Sequence, residues 1–207
     1  MTWIKICGLT NIEDALEAAS MGVDALGFIF APSPRRINDL TARDIVRHLP
    51  LASWKVGVFV NEELKKMLRI ADHCGLDALQ LHGQEPPEYC RQIPLPVIKA
   101  ISVKDVESLK EMERYPFNSI LLDAAATDRA GGTGKTFCWE MALESRKKRN
   151  FILSGGLNPM NVYPAVQKLR PLGVDVCSGV EKVPGKKDRL KMIEFIKEVR
   201  KADESTR

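Results

Sequence analysis

The sequence predicts an α/β fold in which eight βα units close into a (βα)8, or TIM, barrel, and three observations carry that prediction. Short apolar, β-rich runs alternate eight times with longer amphipathic runs. Several short runs are apolar on both faces, as in Ala25-Leu26-Gly27-Phe28-Ile29-Phe30, which suits parallel strands covered by helices. A pattern of Gly-apolar-Asp-apolar begins at Gly22, Gly75 and Gly173, at spacings near two and four units of about 26 residues. Eight such units fill the 207 residues, near the lower size limit of these barrels. An open doubly wound sheet alternates in the same way, but sheets of about five or six strands are commoner there, and eight prefers closure.

Taken in order, the strands are expected at 3–7, 24–30, 55–60, 77–81, 97–101, 119–123, 151–154 and 174–178. Asn11, Glu13 and Asp14 supply a cap and first-turn acids for the helix after the first strand, and Gly22 can close it. Asn61-Glu62-Glu63 opens another helix that ends at Gly75, while Asn158-Pro159 supplies an N-cap followed by proline at the first helical position. In all three copies of the glycine pattern, the glycine reads as ending a helix and leading straight into a strand. One compact domain over 1–207 is expected, with a basic last helix at about 186–202 and a frayed tail.

Composition narrows the function classes. A net charge of +4 is too small to argue for a nucleic-acid partner. Its surplus lies in the tail, where Lys186, Lys187, Arg189, Lys191, Lys197, Arg200 and Lys201 read as the solvated face of a helix. Cys7, Cys74, Cys90, Cys138 and Cys177 are scattered, odd in number and without a CxxC pair. That argues against a disulfide framework and a zinc site, and for a reducing cytoplasm. The chain enters a strand almost at once, so no signal peptide is expected, and no apolar run nears the roughly 18 residues that span a bilayer.

In a barrel, chemistry sits at the C-terminal strand ends and the loops after them. The first strand ends in Lys5-Ile6-Cys7-Gly8, with Lys5 and Cys7 on one face. The fourth ends in Gln80-Leu81-His82-Gly83, the sixth in Leu121-Leu122-Asp123, the seventh in Ser154-Gly155-Gly156 and the eighth in Cys177-Ser178-Gly179. Gly155-Gly156 and Ser178-Gly179 read as two halves of a phosphate grip, since glycine lets backbone N–H groups approach an anion. Cys7 could equally be a small core residue and Asp123 a solvated cap. Arg35-Arg36 could be surface charge or a carboxylate clamp. His48 and His73 fall in helices and read as structural; His82 stands at a strand end. The stretch Gly131-Gly132-Thr133-Gly134-Lys135-Thr136 fails as a P-loop, because Arg129 occupies the place of the first required glycine. A mobile lid is the better reading.

Together, Lys-Ile-Cys-Gly-Leu-Thr (5–10), Ser-Pro-Arg-Arg (33–36), Val-Gly-Val-Phe-Val-Asn (56–61), Gln-Leu-His-Gly (80–83), Leu-Leu-Asp (121–123), Leu-Ser-Gly-Gly-Leu-Asn-Pro (153–159) and Val-Asp-Val-Cys-Ser-Gly-Val-Glu (174–181) resemble the phosphoribosylanthranilate isomerase family. The resemblance runs from about residue 3 to about 200. It implies an Amadori rearrangement of N-(5′-phosphoribosyl)anthranilate without cofactor or metal, by a monomer or homodimer whose partner is this small molecule alone. By the same resemblance, Cys7 stands at the general base and Asp123 at the general acid. Arg36 matches the arginine on the anthranilate carboxylate, Asp175 an aspartate near the sugar hydroxyls, and Gly155, Gly156, Ser178 and Gly179 the phosphate grip, with Gln80 and His82 near the substrate. Cys177 stands where a small residue is expected, and the stretch 124–129 departs from the family pattern. These roles carry an electrostatic condition: Asp123 must be kept protonated, and Lys5 is expected to make Cys7 easier to ionise. Another phosphosugar barrel of tryptophan or histidine synthesis, or a catalytically silent phosphate-binding barrel, are the alternative readings.

Overall fold

The structure, a computed structural model, describes residues 1–115, 119–123, 143 and 150–205. The stretch 124–129, the Gly-rich stretch 131–136 that reads as a lid, and Cys138 lie outside the described residues. Eight parallel strands close into a barrel in sequence order: β1 (Trp3–Ile6), β2 (Ala25–Ile29), β3 (Trp54–Phe59), β4 (Ala78–Leu81), β5 (Val97–Ser102), β6 (Ile120–Asp123), β7 (Ile152–Ser154) and β8 (Gly173–Val176). Ring closure is the pairing of β1 with β8, with Lys5 opposite Asp175 and Ile6 opposite Val176. No strand end departs from the sequence expectation by more than two residues, the usual uncertainty of element boundaries.

Period-two alternation divides the strand residues between two cores. Outward-facing Ile4, Ile6, Leu26, Phe28, Leu79, Leu81, Ile120, Leu122 and Val174 pack under the helices. Inward-facing Ala25, Val56, Ala78, Ile98, Ala100, Leu121 and Ile152 form a separate floor inside the barrel. The next inward positions toward the C-terminal end are Gly27, Val58, Gln80, Asp123 and Ser154, so the floor carries the site directly above it.

The connections follow local chemistry, with four corrections to the sequence reading. Helix Ile12–Ser20 is capped as expected, the Asn11 side chain accepting the Asp14 N–H at 2.9 Å. Gly22 (φ 72°) and Gly75 (φ 68°) take the left-handed conformation that ends a helix. The aspartates two residues on, Asp24 and Asp77, accept the N–H groups of Ile4 and Lys55, each at 2.8 Å, and so tie the start of the preceding strand.

The third copy of the pattern is different. Helix Val162–Leu169 ends at Arg170 (φ 43°), and Gly173 is the first residue of β8. A Cβ there would lie 2.8 Å from the Trp3 carbonyl oxygen, so glycine serves close strand packing rather than a helix end. Asp175 consequently falls in mid-strand and points inward.

Two helix starts also differ. Asn158-Pro159 form a turn before helix Val162–Leu169, with the Asn158 side chain accepting the Met160 N–H at 2.8 Å, so Pro159 is not the first helical residue. Asn61 does not cap helix Leu64–Cys74; its side-chain oxygen accepts the Gln84 N–H at 2.8 Å and joins the loops after β3 and β4.

The expected basic helix at 186–202 is Arg189–Glu204, capped by Asp188. Lys186–Lys187 instead form β10, antiparallel to β9 (Glu181–Val183). Lys187 is buried, with Nζ 3.0 Å from Glu181 Oε1, so it belongs to a packed ion pair and not to a solvated face.

Candidate active site

A cavity of about 180 Å³ opens at the C-terminal end of the barrel. Eight of the ten sequence-predicted site residues line it: Cys7, Gln80, His82, Asp123, Gly155, Gly156, Asp175 and Ser178. Ile29, Val58 and Leu157 give it apolar walls, and Ser154 and Cys177 add polar atoms that sequence reasoning did not assign to a role. The signal for Ser154 was available, since it is the inward residue two beyond Ile152 of the floor.

Below the cavity lies a buried polar layer. Lys5 is wholly buried, and its Nζ donates to Asp175 Oδ1 and Gln80 Oε1, both at 2.9 Å. The second carboxylate oxygen of Asp175 lies 3.5 Å from the Ser154 hydroxyl. Cys7 sits one inward step above Lys5, and its N–H donates to the Val176 carbonyl at 2.8 Å. Space for both comes from Gly27: a Cβ there would stand 2.6 Å from Cys7 Sγ and 3.0 Å from Lys5 Cε.

The electrostatics give Lys5 the expected sign at Cys7, but burial outweighs it. Burial pushes the Cys7 thiol above its ordinary value, and although Lys5 pulls the other way, Asp175 reinforces the upward shift. Asp175, 2.9 Å from the ammonium, offsets part of its pull, and burial decides the direction. Cys7 is therefore harder to ionise than a free cysteine. Lys5 itself stays charged: burial opposes the charge, but Asp175 and Cys7 outweigh it. Burial also pushes the Cys177 thiol up, to about 12.

Asp123 closes β6 with a mostly buried carboxylate whose Oδ2 lies 2.9 Å from His82 Nε2. Its backbone partners are Ser102 of β5 and Ser154 of β7.

The loops after β7 and β8 meet at the rim. Gly155 (φ 91°) and Gly156 (φ 66°) require the left-handed region, and the Gly156 carbonyl is held by the side-chain amide of Asn161 at 3.0 Å. Gly179 does not line the cavity. A Cβ on it would fall on the Leu157 carbonyl, so it is the point where the two loops touch.

The two arginines separate. Arg35 binds Glu181 through Nε at 2.8 Å and Nη2 at 2.6 Å, tying the loop after β2 to the β9–β10 hairpin. Arg36 is exposed and lines a neighbouring groove with Glu62, Lys66 and Arg69 rather than the main cavity. Its backbone bridges to Ile29, which lines the main cavity, so the groove and the cavity share a wall.

Under the β4 end, Lys99 Nζ donates to Glu85 at 2.9 Å and to the Gly83 carbonyl at 2.6 Å, with both side chains buried. Glu85 in turn accepts the N–H groups of Asn61 at 2.7 Å and Gly83 at 3.1 Å. This cluster fixes the loop that carries His82. Among the described residues, no helix is long and apolar enough to cross a membrane.

Comparison with known proteins points one way. The family model described as N-(5′-phosphoribosyl)anthranilate (PRA) isomerase matches residues 4–198. The N-(5′-phosphoribosyl)anthranilate isomerase of Pelobacter propionicus is 47% identical over 209 residues, covering 100% of both chains. A crystal structure of phosphoribosyl anthranilate isomerase from Thermotoga maritima aligns with a TM-score of 0.89 at 46% identity, over 97% of this chain and 100% of that one. A further structure of such an isomerase, in complex with reduced 1-(o-carboxyphenylamino)-1-deoxyribulose 5-phosphate, aligns with a TM-score of 0.86 at 44% identity, over the same shares.

Proposed function

The chain belongs to the N-(5′-phosphoribosyl)anthranilate isomerase family, and from that premise we infer how its cavity divides the reaction between Cys7 and Asp123. The reaction is the Amadori rearrangement of N-(5′-phosphoribosyl)anthranilate to 1-(2-carboxyphenylamino)-1-deoxyribulose 5-phosphate, a step of tryptophan biosynthesis. The observation that carries the assignment of roles is the convergence of Cys7, from β1, and Asp123, from β6, on one cavity with paired glycines at its rim.

Asp123 protonates the ring oxygen. The C1′–O bond breaks, and the anthranilate nitrogen lone pair forms the iminium. The Cys7 thiolate then removes the C2′ proton, and those electrons neutralise the iminium to give an enolamine, which tautomerises to the ketone. Because burial raises the Cys7 thiol, its thiolate is scarce but strongly basic. The iminium formed beside it in the first step adds positive charge to that of Lys5, whose pull burial and Asp175 outweigh. This order of events lets a buried cysteine serve as base at neutral pH.

Gly155, Gly156 and Ser178 hold the phosphate, with Gly179 as the packing point beneath them. Arg36 takes the anthranilate carboxylate from the adjoining groove. Asp175 faces the sugar hydroxyls from the polar layer. We place the enzyme in the cytoplasm, as one domain acting as a monomer or homodimer, with the phosphosugar-anthranilate as its partner and no nucleic acid or membrane. Rescue of a tryptophan auxotroph lacking this isomerase, by the wild-type chain and not by Cys7→Ala or Asp123→Asn, tests the reading. No rescue by a well-expressed wild-type chain favours a catalytically silent barrel.

A further inference from the structure

Four side chains form an unbroken polar chain across the barrel, and the reaction steps above use only its last member. Lys5 Nζ donates to Gln80 Oε1 at 2.9 Å. Gln80 Nε2 lies 3.0 Å from His82 Nδ1, and His82 Nε2 lies 2.9 Å from Asp123 Oδ2. An ammonium carries donors only, so the Gln80 oxygen must face Lys5 and its NH2 must face His82. Lys5 is wholly buried and pinned a second time by Asp175 at 2.9 Å, while Gln80 is 1% exposed, so neither end of the amide can exchange for water.

The consequence runs outward. A donor facing Nδ1 requires that nitrogen to present its lone pair, and the imidazole proton then sits on Nε2. That Nε2–H points at Asp123 Oδ2. We propose that Lys5 and Gln80 are positioning residues that lock His82 in its Nε2–H tautomer, which occupies Asp123 Oδ2 and places the acid proton on Oδ1. The inference rests on Asp123 being the general acid. The buried layer thereby selects which oxygen of the carboxyl group delivers the proton to the ring oxygen.

Gln80→Glu is nearly isosteric and keeps an oxygen facing Lys5, but it turns the atom facing Nδ1 from donor to acceptor. Nitrogen NMR of isotope-labelled full-length protein, with His82 assigned by its loss in His82→Gln, reads the tautomer directly. The wild type is expected to show a bare Nδ1 and a protonated Nε2, and Gln80→Glu a protonated Nδ1. Alongside, kcat should fall about 10-fold or more, a part of the roughly 10²–10⁴-fold that general acid catalysis supplies, while KM moves less than about threefold. Gln80→Met, which can neither donate nor accept at Nδ1, serves if the glutamate variant does not fold, and should give mixed tautomers with a similar kcat loss.

A wild-type His82 carrying its proton on Nδ1 overturns the proposal without any variant. So does an unchanged tautomer in a folded Gln80 variant, or a switched tautomer with unchanged kcat. Asp123→Asn, measured in parallel, separates the two levels: normal turnover there sinks the acid assignment, whereas the His82 spectrum judges the tautomer lock by itself.

Discussion

Cys7 and Gly27 face each other across β1 and β2 so closely that a Cβ on Gly27 would stand 2.6 Å from the thiol sulfur and 3.0 Å from the Cys7 Cα. The backbone φ of Gly27 is not what demands glycine; the proximity of the neighbouring strand is. Gly27→Ala should push Cys7 out of line with the C2′ proton, lowering turnover by about 10-fold or more and destabilising the fold by about 1–3 kcal/mol through overpacking. Steady-state kinetics and denaturant unfolding check both, and a variant of normal activity would mean that the thiol's position is not critical.

Removing either proposed proton-transfer group should separate chemistry from binding. Cys7→Ala and Asp123→Asn are each expected to cut kcat by about 10²–10⁴-fold, with product affinity within a few-fold of wild type. Calorimetric titration of product into each variant measures the second quantity. A loss of affinity as large as the loss of turnover would make these residues binding groups instead.

The arginine pair offers a sharper contrast than adjacency suggests. Arg36→Met should raise KM with little change in thermal stability, because the side chain is exposed beside the cavity wall. Arg35→Met should lower the melting temperature, because it leaves the buried Glu181 without its bidentate partner. Equal effects of the two substitutions on KM and on melting would contradict the division.

Alkaline behaviour follows from the raised thiols. A folded-state pKa above the unfolded value means that the folded chain holds the proton more tightly. That stabilisation is complete below the ordinary cysteine value, about 8.5, and fades as pH rises through the raised values, about 11 for Cys74 and about 12 for Cys177. Unfolding free energy should therefore decline above about pH 9, and Cys177→Ala should decline less steeply than wild type. Activity follows a different rule: rising pH populates the Cys7 thiolate but removes the proton that Asp123 must donate, so kcat/KM should change little until unfolding cuts it off. A stability curve with the same slope in wild type and Cys177→Ala would refute the linkage.

Much of the fold is legible in the residues because it rests on short-range rules. Alternation of apolar runs places all eight strands, and counting inward by twos from Ala78 or Leu121 reaches Gln80 and Asp123. What was not legible depends on neighbours distant in sequence. Gly173 resembles Gly22 and Gly75 in its local pattern, yet the helix before it ends on Arg170, and Trp3 is what requires a glycine there. Lys187 reads as one more surface lysine until Glu181 and the β9–β10 turn enclose it. The net ionisation of Cys7 is hidden for a related reason. Spacing reveals Lys5 beside it, but neither the depth of burial nor the opposing charge of Asp175 can be read from that segment.

The bond between Lys5 and Asp175 joins residues 170 positions apart. A chain emerging from the ribosome at about 5–20 residues per second makes the lysine roughly 10–30 s before its counter-ion. During that interval an ammonium group sits on the strand that must become the inside of the barrel, and it can remain only where water reaches it. Early strands and helices can form, but the interior near β1 has to stay open until the last strand arrives. The ion pair is thus completed only by the strand that also closes the ring, β8 on β1.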